Sequence, residues 1–275
     1  MPRNISVGID LGSENTRVVV GEFLKGEKNP RIIGVAEAKS AGMRHGYVVD
    51  PDAAAHPLVT ALSEVEAGSG IKIKSAIIGV SGMSLRADAS SGIAMVSKAD
   101  GEVTSLDVKK ALEDSEENLK IGNRKIIHVE TISSRLDGKE VMGRLEGMWG
   151  TKLETRALFV TYSSQHLEDL LDVAALGKVE ASDLLACPLG ASQLVLTEKQ
   201  KIVGVALVDI GAEKTTVSVY ENGGLISLGS FPIGSLDITN DIALGFRIPL
   251  ETAEHFKLGD IGAEYSRKKL DEIIE

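Results

Sequence analysis

An aspartate followed by a glycine-containing polar turn is the feature of this sequence best suited to bind phosphate. Asp10 ends an apolar run, Gly12-Ser13-Glu14-Asn15 follows, and a second apolar run leads to Phe23. Apolar runs around a Gly/Asn turn predict a β-hairpin. Backbone N–H groups in such a turn can face an anion, and a neighbouring carboxylate suits a hydrated Mg²⁺. An ordinary hairpin with a polar turn has the same pattern, so a single copy decides nothing.

The same pattern occurs a second time, two hundred positions along the chain. An apolar run ends at Asp209, Gly211-Ala212-Glu213-Lys214 follows, and another apolar run leads to Tyr220. Asp10 and Asp209 therefore occupy equivalent positions. This internal repeat predicts two related half-domains that face each other across a cleft, with both turns and both carboxylates around one nucleotide. The alternative is that each aspartate only ends a strand and caps a turn.

Composition limits the classes of function. A chain of 275 residues allows one large or two modest domains, and 43% hydrophobic with 25% charged residues is typical of globular proteins. The formal charge of −10 argues against binding to nucleic acid, which favours a basic surface. Cys187 is the single cysteine, which excludes an internal disulfide. Trp149 is the single tryptophan, and we expect it to be packed rather than exposed for a partner.

Alternating strands and helices predict an α/β fold. A third strand begins at Arg31, Asp50-Pro51 provides a cap and first turn for a helix that ends near residue 66, and residues 76–80 form a buried strand. Further helices are predicted over residues 165–176, 187–196, 237–244, 250–258 and 266–275. The last of these stops without a glycine or proline signal, so we expect a shortened polypeptide.

Between the two turns lies a compact unit of a different character. It consists of a strand at residues 93–97, a helix at residues 104–119 in which Asp107 completes a capping box, and strands at residues 125–132 and 157–162. This strand-helix-strand-strand order predicts a small α+β domain inserted into a larger one.

Residues 10–15 and 209–215 resemble the first and second phosphate motifs of the actin/Hsp70/sugar-kinase superfamily. The order of the segments, including the inserted unit, is similar to that of FtsA, the actin-homologue family of bacterial cell division. Similar short segments occur at residues 32–35, 44–48, 81–82, 92–96, 195–197, 241–243 and 253–257. The resemblance covers nearly the whole chain.

The resemblance implies an actin-like (ribonuclease H-like) ATPase fold of the α/β class, with an inserted SHS2-type α+β domain and an incomplete second half. We expect subdomain IA at residues 1–84 and 163–200 and the inserted subdomain IC at residues 85–162. Residues 201–236 would begin subdomain IIA, and residues 237–275 would begin subdomain IIB.

The resemblance also implies ATP and Mg²⁺ as ligands. Asp10 and Asp209 would hold Mg²⁺ through water, and Gly12 to Asn15 and Gly211 to Lys214 would wrap the β- and γ-phosphates. Gly234 would lie under the ribose and phosphates, or is a plain turn glycine after Pro232. Glu254 and Lys257 would contact the nucleoside, or form a helix ion pair. The nucleotide-binding set is Gly12, Ser13, Glu14, Asn15, Gly211, Ala212, Glu213, Lys214, Gly234, Glu254 and Lys257.

Members of this family form filaments and tether the FtsZ ring to the membrane, so the implied partners are other copies of the chain and the FtsZ C-terminal tail. Other cell-division proteins would bind the inserted domain. We expect a cytoplasmic protein at the inner face of the membrane and at the division septum. Membrane attachment would need a C-terminal helix that this sequence does not contain, and FtsZ binding is expected to be weak in this shortened chain.

No side chain provides an evident base for hydrolysis. Cys187-Pro188 stands where relatives place a carboxylate or amide, and Gln193 lies more than a turn further along. We therefore expect weak or absent ATPase activity and leave the catalytic residues unassigned. Two alternatives remain open: an adaptor similar to the pilus-assembly family PilM, and a sugar or acetate kinase.

Overall fold

The computed structural model describes residues 4–27, 29–141 and 143–259. The predicted helix over residues 266–275 lies outside these described residues, as does the end of the predicted subdomain IIB. The first part of the chain contains β1 (Asn4–Leu11), β2 (Asn15–Phe23), β3 (Arg31–Lys39), β4 (Met43–Arg44), β5 (Tyr47–Val48), α1 (Pro51–Ser69) and β6 (Ser75–Val80). β1 and β2 pair antiparallel, which confirms the first hairpin, and β6 runs parallel to β1.

Helix α1 begins where the sequence predicts and continues three residues further than predicted. The Asp50 carboxylate accepts a hydrogen bond from the Ala53 amide and caps the first turn. The helix ends at Gly70, whose φ of +68° is the left-handed conformation that favours glycine. Its buried face, including Leu58, Ala61 and Val65, packs into the core around the first sheet.

The next part of the chain forms a second sheet. Its elements are β7 (Arg86–Met95), α2 (Ser105–Glu117), β8 (Arg124–Leu136), β9 (Lys139–Val141) and β10 (Lys152–Ser163), and the strand order is β7-β10-β8-β9. Helix α2 crosses β7 at Gly92, where an added Cβ would lie 2.2 Å from the Ala111 carbonyl oxygen. The predicted capping box is present at Thr104 and Asp107. The expectation for Trp149 is wrong: it is 71% exposed, in a loop that bridges to Glu102 and hydrogen-bonds to the backbone of Gly101 and Val103.

Arg124 joins the two connections between this second sheet and the first part of the chain. Its guanidinium donates to the Thr161 hydroxyl at 2.8 Å, to the Thr161 carbonyl oxygen at 2.9 Å and to the Ser84 carbonyl oxygen. Tyr162, the next-to-last residue of β10, donates its hydroxyl hydrogen to the Ser81 carbonyl oxygen at 2.8 Å. The entering and leaving strands are therefore fixed to each other.

The chain then returns to the first sheet through α3 (Ser164–Leu176), β11 (Glu180–Ala186), α4 (Cys187–Val195) and α5 (Glu198–Val203). The first sheet has the order β11-β6-β1-β2-β3. β11 and α5 were not predicted, nor were the two-residue strands β4 and β5. Helix α4 begins at Cys187, as predicted, with Pro188 in its first turn.

The last described part contains β12 (Val205–Ile210), β13 (Thr215–Glu221), β14 (Gly224–Phe231), α6 (Ser235–Phe246) and α7 (Leu250–Leu258). β12 and β13 pair antiparallel, which confirms the second hairpin. Tyr220, Leu225 and Leu228 belong to the same buried cluster as the residues of the first sheet. The two hairpins therefore sit on one continuous hydrophobic core.

Candidate functional site

The two predicted phosphate turns have the same backbone geometry. The Gly12 amide donates to the Asn15 carbonyl oxygen at 3.2 Å, and the Gly211 amide donates to the Lys214 carbonyl oxygen at 2.9 Å. A Cβ added at Gly12 would lie only 2.7 Å from the Asn15 oxygen, so this turn requires glycine. The sequence repeat is thus a structural repeat.

Each turn leaves backbone donors available. Among the described residues, no hydrogen-bond acceptor of the protein is paired with the amides of Ser13, Glu14, Ala212 or Glu213. Successive unpaired amides in a tight turn form a concavity that attracts anions. Such donors would suit the oxygens of a phosphate group.

Both turns line one cleft with a volume of about 210 Å³. This is smaller than the roughly 300–1,000 Å³ of pockets that enclose a drug-sized ligand, so it would hold the phosphate end of a nucleotide. The lining residues are Asp10, Gly12, Ser13, Glu14, Asn15, Arg17, Ser81, Cys187, Asp209, Gly211, Ala212, Glu213 and Lys214. Ten of these were predicted from the repeat, while Arg17, Ser81 and Cys187 were missed as part of the site.

Asp10 is the most perturbed acid in the cleft. Burial raises its pKa above the ordinary value, and Arg17, whose guanidinium nitrogen lies 4.0 Å from a carboxylate oxygen, opposes the rise. Arg17 could have been found from the sequence, because an antiparallel hairpin with this turn places residue 17 opposite residue 10. Nearby Asp209 adds a further rise in the Asp10 pKa.

The charges of the cleft fit a divalent cation. Four carboxylates, those of Asp10, Glu14, Asp209 and Glu213, line the cleft with two cationic groups, those of Arg17 and Lys214, and Lys39 pairs with Glu14 from outside the lining. A polyphosphate alone would meet net repulsion in such a site, whereas a cation between carboxylates and phosphates would relieve it. The donor set is all oxygen, which is what Mg²⁺ prefers.

Cys187 lies beside Asp10, with its sulfur 3.8 Å from a carboxylate oxygen. Burial, with a contribution from Asp10, raises the pKa of the thiol to about 12. The thiol is therefore protonated near neutral pH and cannot serve as a base. Gln193 is exposed on α4 and is not among the residues that line the cleft.

Gly234 lies directly against the backbone of the second turn. An added Cβ would lie 2.3 Å from the Ala212 carbonyl oxygen, and the next two amides, Ser235 and Leu236, donate to the Gly211 and Ala212 carbonyl oxygens at 2.8 Å. The absence of a side chain at Gly234 lets the start of α6 pack against the turn. It does not itself line the cleft.

Glu254 and Lys257 are brought together, but away from the residues that line the cleft. Their charged groups lie 2.7 Å apart, and both contact the Thr239 hydroxyl. Lys257 also donates to the Ser235 carbonyl oxygen at 3.2 Å, and the amide of that same residue makes one of the bonds that hold the second turn. The hydrogen bonds from Lys257 and Thr239 lower the pKa of Glu254.

Two family models match separate parts of the chain. A model described as "SHS2 domain inserted in FTSA" matches residues 82–161, and a model described as "Cell division protein FtsA" matches residues 206–274. The cell division protein FtsA of Bacillus subtilis is 33% identical over 269 residues, and that of Neisseria meningitidis is 30% identical over 273 residues. The chain belongs to the FtsA family.

The FtsA relatives are longer than this chain. The alignments include 98% and 99% of this chain but only 61% of the Bacillus subtilis FtsA and 65% of the Neisseria meningitidis FtsA. The role common to these FtsA relatives is bacterial cell division. Among the described residues of this FtsA-family chain, no helix combines the length and apolar character needed to cross a membrane.

Solved structures agree with the fold of the FtsA family. A chain from the PilM-PilN type IV pilus biogenesis complex superposes with a TM-score of 0.64 at 14% identity, covering 99% of this chain and 73% of that one. The ethanolamine utilization protein EutJ from Carboxydothermus hydrogenoformans superposes with a TM-score of 0.54 at 17% identity, covering 100% of this chain and 66% of that one. The predicted actin-like fold with an SHS2 insert is confirmed.

Proposed function

We propose that the cleft binds the phosphates of ATP together with Mg²⁺, as a switch within a cell-division filament protein. The observation that carries this proposal is the meeting of two equivalent turns, with Asp10 and Asp209, in one cleft. The unpaired amides at Ser13, Glu14, Ala212 and Glu213 would donate to phosphate oxygens. Lys214 would add a positive charge on the same side.

Asp10 and Asp209 would hold Mg²⁺ through water, and the metal would offset the negative charge of both carboxylates and phosphates. Gly234 would act indirectly, by keeping the second turn in place. Glu254 and Lys257 would lie on the nucleoside side, where α6 and α7 meet.

The test is the binding of ATP measured by isothermal titration calorimetry, with Mg²⁺ and with EDTA. We expect binding only with Mg²⁺, and a loss of at least about tenfold in affinity, or about 1.4 kcal/mol, for Asp10→Asn. Asp172→Asn, an exposed aspartate on α3, is the matched control and should bind as the unaltered protein does. Equal affinity in EDTA, or an unaffected Asp10→Asn variant, would contradict the proposal.

We expect ATP to be hydrolysed slowly or not at all, because no described residue at the cleft is placed as an evident base. Asp10 is expected to serve the metal, and the Cys187 thiol is protonated near neutral pH. Turnover above about 1 s⁻¹, the low end for ordinary enzymes, would contradict this expectation. A steady-state assay with Mg²⁺-ATP measures the turnover.

At the level of the cell, the proposed function is nucleotide-dependent self-association into filaments that link the FtsZ ring to the membrane. Family membership supports this proposal. Other divisome proteins would bind the inserted unit, and the location would be the cytoplasmic face of the membrane at the septum. A sedimentation assay with Mg²⁺-ATP tests filament formation. We expect protein in the pellet only when nucleotide is present, and less for Asp10→Asn.

The two alternatives have less support. The PilM chain is 14% identical in sequence to this chain, so the similarity concerns the fold alone. A sugar or acetate kinase would need a substrate base in the cleft, whereas the proposal gives Asp10 and Asp209 to the metal and Glu213 accepts from the His45 amide. Transfer of phosphate from ATP to a small acceptor would favour the kinase over the filament function.

A further inference from the structure

The hairpin formed by β4 and β5 inserts its tip between the two phosphate turns. The tip is His45-Gly46, and both residues have positive φ, +49° and +75°. This is the backbone conformation of a tight two-residue hairpin in which glycine is favoured. Neither tip amide takes part in the pairing of Arg44 with Tyr47, so both amides are available for other contacts.

The tip makes hydrogen bonds to each turn. The Gly46 amide donates to the Ser13 hydroxyl oxygen at 3.0 Å, on the first turn. The His45 amide donates to a Glu213 carboxylate oxygen at 2.5 Å, on the second turn, and a His45 ring nitrogen lies 3.0 Å from the Glu213 carbonyl oxygen. One short hairpin therefore connects the two halves of the repeat across the cleft.

These contacts decide which polar groups are left for a ligand. The Ser13 oxygen already accepts a hydrogen bond from Gly46, so its own hydrogen remains available to donate to a neighbouring acceptor. The Glu213 carboxylate accepts a hydrogen bond from the His45 amide. This bond holds part of the carboxylate's negative charge at the edge of the cleft. Both effects make the cleft more favourable for a phosphate oxygen.

The tip is packed too closely to tolerate a side chain at Gly46. An added Cβ would lie 2.6 Å from the Gly82 Cα and 3.1 Å from the Lys214 side-chain carbon next to the ammonium. The tip therefore touches the first turn, the second turn and the residue after Ser81 at once. Movement of one turn away from the other would break at least one of these contacts.

We propose that His45-Gly46 is a latch that positions the two phosphate turns against each other, with Ser13 and Glu213 as its partners. The effect of the latch on ATP binding rests on the proposed function of the cleft. Its residues act through Ser13 and Glu213 and are positioning residues. A phosphate-bearing ligand would bind to turns that the latch has already brought to the right separation.

Amide hydrogen exchange, followed residue by residue by NMR in the protein without nucleotide, tests the latch. We expect the His45 and Gly46 amides to be protected. Glu213→Ala should raise exchange at His45 by roughly tenfold, the size expected for loss of one hydrogen bond to a charged acceptor. Glu213→Gln, which keeps a side-chain oxygen acceptor, should restore much of the protection, and Glu221→Ala, an exposed glutamate on β13, should change nothing.

Ser13→Ala should raise exchange at Gly46 in the same way. Unprotected tip amides in the unaltered protein, or no effect of Glu213→Ala on His45, would overturn the latch even if Mg²⁺-ATP binds. Absence of ATP binding together with protected, Glu213-dependent amides would instead overturn the proposed function and leave the latch in place. The two proposals therefore fail in different experiments.

Discussion

At the scale of single residues, the cleft contains a carboxylate and a thiol whose pKa values are both raised by burial. Burial raises the pKa of both Asp10 and Cys187, because the charged form of each loses its hydration. The Asp10 carboxylate also disfavours the thiolate and so raises the Cys187 pKa, whereas the protonated thiol donates a hydrogen bond to that carboxylate across 3.8 Å and lowers the Asp10 pKa. The carboxylate also has Arg17 to oppose the effect of burial, so the thiol is the group that stays neutral.

We predict that Cys187 reacts slowly with iodoacetamide in the folded protein. With a pKa of about 12, the thiolate fraction at pH 8 is at least 100-fold below that of an ordinary cysteine. The rate should rise about tenfold per pH unit between pH 8 and pH 10 without levelling near pH 9. Mass spectrometry of the alkylated protein measures it, with the protein unfolded in guanidinium as control. A plateau near pH 9 in the folded protein would contradict the raised pKa.

The sequence predicts the residues of the two turns but not the other side chains at the cleft. The repeat is visible because Asp10 and Asp209 stand at the same place in matching segments. Ser81 follows β6, Cys187 follows β11 as the first residue of α4, and only the parallel pairing of β1, β6 and β11 brings them to Asp10. The tip at His45-Gly46 lies between strands of two residues, which are too short to give a periodic signal.

At the scale of elements, β6 was predicted from its apolar pattern, whereas β11 and β14 were missed. β6 is almost wholly apolar and was predicted, whereas its neighbour β11 reads Glu180-Ala181-Ser182-Asp183 at its start and lies at the edge of the sheet. Polar residues at an exposed edge are tolerated by the fold but have low strand propensity. The capping box of α2 was predicted because its signal is local, within four residues.

We predict that Asp107 stabilises this part of the fold and that the effect depends on pH. Burial opposes ionisation of Asp107, but hydrogen bonds from Thr104 and Ser97 outweigh it and lower its pKa from 3.8 to about 2. A lowered pKa means that the stabilisation is present above pH 3.8 and is lost as the pH falls through about 2.

Asp107→Ala should lower the free energy of unfolding by about 2 kcal/mol at neutral pH, since it leaves the Thr104 and Ser97 amides unpaired. Urea unfolding followed by circular dichroism measures the change, and repeating it at pH 4 and at pH 2 tests the sign. The difference between the variant and the unaltered protein should shrink at the lower pH. A difference that stays constant would show that the ionised carboxylate is not responsible.

At the scale of the whole molecule, hydrogen bonds connect the inserted sheet to the rim of the cleft. β10 carries Tyr162, whose hydroxyl donates to Ser81 at the rim of the cleft, and Arg124 fixes the entering and leaving connections together. The insertion could be predicted from the sequence, because the strand-helix-strand-strand unit lies between the two copies of the repeat. The connections could not, because they depend on residues about 40 to 80 positions apart.

We predict that Arg124→Lys loosens the inserted sheet. A lysine keeps the charge but cannot make the three hydrogen bonds that the planar guanidinium makes to Thr161 and Ser84. The free energy of unfolding should fall by about 1–3 kcal/mol, and amide exchange should rise in residues 82–86. Arg156→Lys, an exposed arginine on β10, is the control and should behave as the unaltered protein. Unchanged exchange in Arg124→Lys would exclude this role.

The hydrophobic cluster shared by Tyr220, Leu225 and Leu228 with the first sheet has a practical consequence. If the gene were divided at Gly204 and the two pieces were produced separately, each piece would expose a hydrophobic surface that is buried in the intact protein. Neither piece should be monodisperse when produced alone, whereas the co-expressed pieces should associate non-covalently. The parts of the chain before and after Gly204 therefore depend on each other to bury their hydrophobic residues.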